Sequence, residues 1–480
     1  MTSPALPPDL ESVSVCVPDH YGRLAGKRIA AHRFGEILAG GLDMPDFHLV
    51  TGPDNQPAAG VAATGDHTGF PNDVLWPDME TFRRLPWDPD TGIVLAQARR
   101  RDGSVIAEAP RAILQHQAER LASHGLSAWV ATELEFYVYE DSYAQSFRKG
   151  YRGLSPLYHR NGDNDVLVTE FLDGYLRPLR RAMAEVGLPA EATQGEGGVG
   201  QVEMNFPADA PLRAADAHAL FKHAAKAIAY RHDRCVTFMA QPDQDQAASG
   251  CHLHLSLRDQ AGLPCTAAPG TGAPGSPGPG TELSERARRF LAGLLAFSPE
   301  LTLLHAPVVN SYRRLQPGGW APAAATWGHD DRRTMVRVVG GGPSLRLEFR
   351  LPGADANPYL AIAATLAAGI AGLETEAELP ADLRTAAARG GDQDPGAALA
   401  PGRTSHSNPA VLAPGTTPPD PPAIPMDLTE AIQRFEESKL AGQAFGEDIR
   451  AHVAGMARHE LRLARRAVTD WELGRGFETA

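Results

Sequence analysis

The sequence predicts an α+β protein in which a small β-rich unit precedes a larger unit of alternating helices and strands. Three observations carry that expectation. Residues 10 to 100 hold short alternating segments such as "ESVSVCV" and "DTGIVLAQA", separated by Gly and Pro turns, which is the pattern of half-buried strands. From about Glu108 long helical phrases take over, "APRAILQHQAERLASHG" and "EFLDGYLRPLRRAMAEVG", each closed by glycine and followed by an extended piece. With 480 residues, 43% of them hydrophobic and 7% aromatic, the chain can bury a sizeable core in one large or two medium domains.

Taken in order, "DHYGRLAGKRI" reads as a hairpin of the first unit, which spans residues 1–107. The second unit, 108–480, carries two low-complexity inserts, 266–281 ("TAAPGTGAPGSPGPGT") and 386–425, rich in Pro, Ala and Gly. "YLAIAATLAAGIAGL" from Tyr359 is a packed helix, too short for a membrane span of roughly 18 apolar residues. A C-terminal amphipathic helix is expected from about Asp427 to Asp470, broken near Gly442 to Gly446.

Composition narrows the partners. The 45 basic and 58 acidic residues give a formal charge of −13, which disfavours nucleic acid and anionic membrane. Cys16, Cys235, Cys251 and Cys265 form no CxxC pair, and "MTSPALPPDLESVSV" has no basic region followed by an apolar run. Both features predict a reduced, cytoplasmic protein.

Four segments carry candidate chemistry. In "WVATELEFYVYE" Glu133 and Glu135 are two apart on a strand, so both carboxylates leave one face; they suit a cation, or a solvated edge. "GEGGVGQVEMNF" puts Glu196 in a glycine-rich loop and Glu203 at the start of an extended segment, which fits either one shared centre or an ordinary turn with exposed acids. In "SGCHLHLSL" His252, His254 and Ser256 share a face, as metal or phosphate ligands or as surface histidines. "SLRLEFRLPGADANPYLA" aligns Arg346, Glu348 and Arg350, an anion clamp or a surface charge ladder.

The conjunction is more specific than its parts. Five carboxylates and a histidine on strands and glycine loops suit hard divalent cations, Mg²⁺ or Mn²⁺, better than zinc. With the arginines of "NSYRRLQPGGW" and "RRTMVRV" added, this is the equipment of phosphoryl transfer from a nucleotide, and no GxxxxGK[ST] loop is present.

In this respect the sequence resembles the glutamine synthetase superfamily. "DHYGRLAGKRI", "GFPNDVLWPDMETFRRLPW", "ELEF", "GEGGVGQVE", "SGCHLHLSL", "NSYRRLQPG", "RRTMVRV", "LEFRLPGADANPYLA" and "VTDWE" occur in family order over nearly the whole chain. The resemblance implies a β-grasp N-terminal domain and a catalytic domain whose curved antiparallel β-sheet, flanked by helices, forms a funnel for ATP and glutamate. It also implies a homo-oligomer of two stacked hexamers, a dodecamer with active sites shared between neighbours. Carried over by motif, Glu135, Glu196 and Glu203 would hold one metal, and Glu133, His252 and Glu348 a second. His254, Ser256, Arg337 and Arg346 would contact ATP, Arg314 and Arg350 would grip glutamate, and Arg332 would steady the transferred phosphoryl group.

The departures bear on the acceptor. Glutamine synthetases proper end the loop after "NSYKRL" in a glutamate that handles ammonium; here that position is Trp320. The N-terminal "DGSS" segment is replaced by "AATGDHTGF", with Ala63 near the aspartate position and Asp66 close by. The family's "NGSG" is "AASG", with Ala247 and Ala248 on the glutamate side, and no "NLY" adenylylation motif occurs around 375 to 425. An indole cannot deprotonate ammonium but can wall an apolar pocket or stack on an alkylammonium. The expected activity is therefore ligation of glutamate to an organic amine, in the manner of γ-glutamylpolyamine and γ-glutamyl monoamide synthetases. A true glutamine synthetase and a non-catalytic relative are the alternatives.

Overall fold

The computed structural model describes residues 6–270, 280–316, 319–383 and 421–479. Most of the two low-complexity inserts, 271–279 and 386–420, therefore lies outside the described residues.

Six strands form the first sheet: β1 (Ser12–Pro18), β2 (Leu24–Ala30), β3 (Leu42–Pro45), β4 (Asn72–Pro77), β5 (Arg83–Leu85) and β6 (Asp88–Arg99). Their order is β2-β1-β6-β4-β3, with β5 on β6, and only the β1–β6 pair is parallel. The expected hairpin is the β1–β2 pair. Val13, Val15, Val17, Val94 and Ala96 bury one face of this sheet, beneath the short helix α1 (Phe34–Gly40), whose Phe34 is 1% exposed.

The second sheet holds eight strands: β7 (Leu126–Tyr139), β8 (Ala192–Gly195), β9 (Gln201–Asn205), β10 (Cys235–Thr237), β11 (Cys251–Asp259), β12 (Trp327–His329), β13 (Val336–Val339) and β14 (Arg346–Phe349). The order is β12-β13-β14-β11-β7-β9-β8, with β10 on β7, and all pairs but β12–β13 are antiparallel. Against it lie α2 (Pro110–Ser123), α3 (Tyr143–Arg148), α4 (Val166–Glu185), α5 (Pro211–Arg231), α6 (Glu285–Leu301), α7 (Ser311–Arg314) and α8 (Pro358–Glu374). Leu134, Phe136, Leu253, Leu255, Leu347 and Phe349 project from the sheet into one continuous apolar core with these helices.

The Ala-rich phrase is α8, buried from Pro358 through Gly372. It crosses α6 at glycines. A Cβ on Gly372 would come within 2.2 Å of the Arg289 carbonyl oxygen, and one on Gly293 within 2.3 Å of that of Ala368. Asn357, just before α8, has two tasks. Its Oδ1 caps the helix by accepting from the Tyr359 N–H at 3.0 Å, while its Nδ2 donates to the carbonyls of Asp19 (3.1 Å) and His20 (2.9 Å) in the β1–β2 turn. One buried side chain thus ties the small sheet to the strand-turn-helix that carries Glu348 and Arg350.

The C-terminal helix expected from Asp427 to Asp470 is instead several: α9 (Leu428–Glu437), α10 (Lys439–Phe445), α11 (Glu447–Arg466) and α12 (Asp470–Gly476). Gly442 is not a break; it lies inside α10. The chain turns at Ser438, whose hydroxyl caps α10 by accepting from the Ala441 N–H at 2.9 Å, and again at Gly446, where φ is +86°.

Because no side chain fits at the α6–α8 crossing, Gly372→Ala should destabilise the protein by about 1–3 kcal/mol, measured by chemical denaturation, through overpacking. An unchanged midpoint would show that the two helices separate freely.

Candidate active site

Strand alternation builds the site. On β7, Leu126, Ala128, Val130, Thr132 and Leu134 are buried, whereas Trp129, Ala131, Glu133 and Glu135 occupy the opposite, partly accessible face. Register then lines up the partners: Glu133 pairs with His252 and Ala131 with His254 across β7–β11, and Glu135 pairs with Glu203 across β7–β9. His254 pairs with Glu348 on β14, and Glu348 with Arg337 on β13. Paired residues point to one face, so sequence-distant acids, histidines and arginines meet there.

Glu133, His252 and Glu348 offer ligand atoms all within 4.8 Å of one another. Glu133 bridges two histidines, with Oε1 2.8 Å from His252 Nδ1 and Oε2 2.8 Å from His254 Nε2. Burial alone would raise the Glu133 carboxyl, but these hydrogen bonds hold it well below the carboxylate range. Glu348, 1% exposed, accepts from Arg337 Nη1 at 2.8 Å and from Arg350 Nη1. Burial opposes its ionisation, yet His252 and Arg350 outweigh it and keep the group low.

The other three carboxylates lie toward β8 and β9. Glu135 Oε2 accepts from the Gly250 N–H (3.0 Å) and from Gln201 Nε2 (3.1 Å), and Glu135 Oε1 stands 4.0 Å from His252 Nε2. Glu196, in the turn after β8, accepts from Gln194 Nε2 at 2.9 Å. Burial, then the charge of Glu135, pushes Glu196 up to about 8. Burial, then the charges of Glu133, Glu135 and Glu196, pushes Glu203 up to about 11. Acids held protonated for want of a positive charge are what a hard cation would relieve, and the donor set of five carboxylates and one imidazole fits Mg²⁺ or Mn²⁺.

Gly250 stands where the two groups converge. A Cβ there would come within 3.0 Å of Arg314 Nη2, 3.0 Å of His252 Nε2 and 3.1 Å of Glu135 Oε1. Arg314 is buried, which pulls its guanidinium below its usual pKa, and it donates to the carbonyls of Leu351 (2.8 Å) and Arg350 (2.9 Å). Arg350 keeps a buried Nε without a partner among the described residues. On the other side, His254 Nδ1 accepts from Arg346 Nε at 3.1 Å, and Ser256 pairs with Trp129. Arg332 is exposed in the turn before β13 and makes no ion pair among the described residues, whereas its neighbour Arg333 is bound to Asp331 at 2.6 Å.

Two residues absent from the sequence expectations hold the "AASG" loop. Gln201 Nε2 donates to the Ala248 carbonyl (3.0 Å) as well as to Glu135, and the Tyr137 hydroxyl donates to the Ala247 carbonyl at 2.6 Å. Alternation puts both on the acid face, since Tyr137 continues the Glu133–Glu135 spacing and Gln201 stands two residues before Glu203, but it does not show the carbonyls they reach. Trp320 follows α7 by six residues and is 53% exposed, so its indole is not part of the core. Ala63 and Asp66 belong to the segment before β4, and Asp66 is exposed.

Buried acids in two groups on one sheet face, with arginines at their margins, are the arrangement of a metal-dependent enzyme acting on phosphate and carboxylate groups. Residues 107–475 match the model of the glutamine synthetase catalytic domain, and the chain belongs to the glutamine synthetase family. It is 41% identical to the γ-glutamylethanolamide synthetase GlnA4 of Streptomyces coelicolor, over 98% of this chain and 93% of that one. It is 30% identical to a glutamate–isopropylamine ligase of a Pseudomonas species, covering 97% and 95% of the two chains. Among solved structures, a GmaS complex with ADP superposes with a TM-score of 0.77 at 25% identity, covering 98% of this chain and 97% of the other.

The raised acids set a pH signature. In the metal-free protein their stabilising protonation is complete below about pH 4.5, where the unfolded chain is protonated too. That contribution is lost as pH rises through about 8 for Glu196 and toward about 11 for Glu203. Mg²⁺ or Mn²⁺ takes the place of those protons, so either ion should raise Tm more at pH 8 than at pH 6, with proton uptake by buffer in titration calorimetry. Equal stabilisation at both pH values would count against cation binding by these carboxylates.

Proposed function

We propose that the chain is an ATP-dependent carbon–nitrogen ligase that joins the γ-carboxylate of glutamate to an organic amine through γ-glutamyl phosphate. The observation that carries the reading is the pair of buried carboxylate groups on one sheet face: Glu133, His252 and Glu348 beside Glu135, Glu196 and Glu203. Such a cluster costs stability unless it serves cations. That cost also favours an active enzyme over a non-catalytic relative.

In this reading Glu135, Glu196 and Glu203 hold one divalent ion and Glu133, His252 and Glu348 another. Those ions offset the repulsion between the γ-carboxylate and the triphosphate. His254, Ser256, Arg337 and Arg346 bind ATP, and Arg314 and Arg350, with the Ala248 backbone, receive glutamate. Arg314 is oriented for this by the Leu351 and Arg350 carbonyls that hold two of its nitrogens. Exposed Arg332 is free to turn toward the phosphoryl group as it transfers. The γ-carboxylate oxygen attacks the γ-phosphorus and ADP leaves; the amine nitrogen then attacks the acyl carbon, phosphate leaves, and the nitrogen gives up a proton.

Trp320 favours an organic amine over ammonium. Its exposed indole stands where glutamine synthetases carry an acid, and it offers an apolar wall and a π face in place of a proton acceptor. Relatives described as an ethanolamide synthetase and an isopropylamine ligase support the same choice. The working form is a dodecamer of stacked hexamers in the cytoplasm, a compartment that suits four unpaired cysteines.

Phosphate release with ATP, glutamate and Mg²⁺ should be saturable with one of putrescine, spermidine, ethanolamine, an alkylamine or aniline, and weak with ammonium. Trp320→Ala should lower kcat/KM for the preferred amine by roughly tenfold, the loss of one cation–π or apolar contact, with KM for ATP unchanged. Trp320→Glu should shift preference toward ammonium. Turnover at millimolar ammonium matching the best amine would sink the amide-ligase reading in favour of a true glutamine synthetase.

A further inference from the structure

Between β10 and β11 the chain runs from Gln241 to Ser249 without helix or strand, and Ala247 and Ala248 lie in this loop. Amide side chains fix its course. Just before α7, Asn310 grips Gln241 twice: its Oδ1 accepts from the Gln241 N–H at 3.0 Å, and its Nδ2 donates to the Gln241 carbonyl at 2.9 Å. Gln241 Nε2 in turn donates to the Gln246 carbonyl at 2.8 Å. Gln246 Oε1 accepts from the Val199 N–H at 2.9 Å, in the turn that holds Glu196.

Gln201 closes the loop on the acid side, and its amide is used in full. It is 2% exposed, and its Oε1 accepts from the Gly198 N–H at 2.8 Å, again in the Glu196 turn. The two protons on its Nε2 face three acceptors: Glu135 Oε2 (3.1 Å), the Ala248 carbonyl (3.0 Å) and Ser249 Oγ (3.1 Å). The Gly250 N–H binds the same Glu135 oxygen at 3.0 Å, so both bonds fall on Oε2, while Oε1 stands 4.0 Å from His252 Nε2. Such an amide cannot turn without leaving several buried groups unpaired. One side chain therefore fixes the Glu196 turn, the Glu135 carboxylate and the Ala248 backbone together.

We infer that Gln201 is a positioning residue that makes cation binding at Glu135, Glu196 and Glu203 and glutamate binding at the Ala248 loop depend on each other. The inference rests on the ligase reading above for the two ligands and adds the group that couples them. A cation that holds Glu135 also holds the amide bonded to it, and with it the Ala248 carbonyl. Glutamate that orders the loop holds the same amide from the other side. By linkage each ligand then tightens the other by the same factor.

The test uses the full-length protein, with Mn²⁺ binding read by electron paramagnetic resonance in the presence and absence of glutamate, and KM for glutamate and for ATP read alongside. In wild type, glutamate should tighten one of two Mn²⁺ ions by roughly fivefold or more. Gln201→Leu should weaken that ion by about 10- to 100-fold, reduce its response to glutamate below about twofold and raise KM for glutamate by roughly tenfold. The other ion and KM for ATP should stay as in wild type. Gln201→Asn keeps a buried amide if the leucine variant folds poorly, but it is one methylene too short to span the same partners and should lose the coupling as well. Gln246→Ala cuts the Val199 contact and leaves the Gln201 amide in place, so it should raise KM for glutamate without weakening either ion. An unchanged response to glutamate in both Gln201 variants overturns the proposal, and so does an equal weakening of both ions, which would mark a general packing role. Wild type that turns over an amine with no coupling between Mn²⁺ and glutamate overturns this inference and leaves the ligase reading standing. Coupling that depends on Gln201, in a protein that turns over no amine, does the reverse.

Discussion

Everything around the site answers one electrostatic constraint: four glutamates on one face of one sheet and a fifth, Glu196, in the turn beside it stand close enough that their charges disfavour one another. Glu196 and Glu203 show the unresolved part of that repulsion in their raised pKa values. Glu133 and Glu348 show the resolved part, since His252, His254, Arg337 and Arg350 keep both ionised. The face thus divides into an end where hydrogen bonds and arginines keep buried carboxylates low and an end where burial and neighbouring carboxylates push them up. Such a division is stable only if no side chain can swing away from its partner.

The fold supplies that rigidity through close backbone approach and through polar side chains that each serve two elements. At Gly250 the absent side chain lets a histidine, an arginine and a carboxylate converge, and the Gly250 N–H itself donates to Glu135. At the α6–α8 crossing the same device brings two backbones together, which fixes α8 and hence the turn after Glu348 and Arg350. Asn357 extends the linkage to the small sheet, because its amide caps α8 and holds the β1–β2 turn at once.

What was legible in the sequence follows from which interactions are periodic. The strand pairs 133/135, 252/254/256 and 346/348/350 were readable because alternation over two residues fixes which side chains share a face, and all lie as that rule requires. The partner of each face was not readable. Register between strands far apart in the sequence depends on the assembled core, so the pairing of Glu133 with His252 and of Glu135 with Glu203 appears only in three dimensions. Gln201 and Tyr137 escaped notice because their roles are bonds to carbonyls of a distant loop, which no composition signals. At the C-terminus the amphipathic period runs straight across Ser438, where no glycine marks a break. The serine interrupts the helix as effectively, because its hydroxyl starts a new one.

The placement of the two kinds of residue explains how one family of sites can serve different nitrogen donors. Glu133, Glu135, Glu203, Glu348, both histidines, Arg337 and Arg346 stand on strands, where each is fixed by its ladder partners and by the core on the reverse face. Trp320 stands in the loop after α7, exposed, with Arg314 six residues before it anchored to the β14 exit. A substitution in that loop leaves the strand ladders in place, whereas a substitution on the strands unbalances the whole carboxylate cluster. In the proposed reading, acceptor choice at position 320 is for this reason the property of the site that costs the least stability to change.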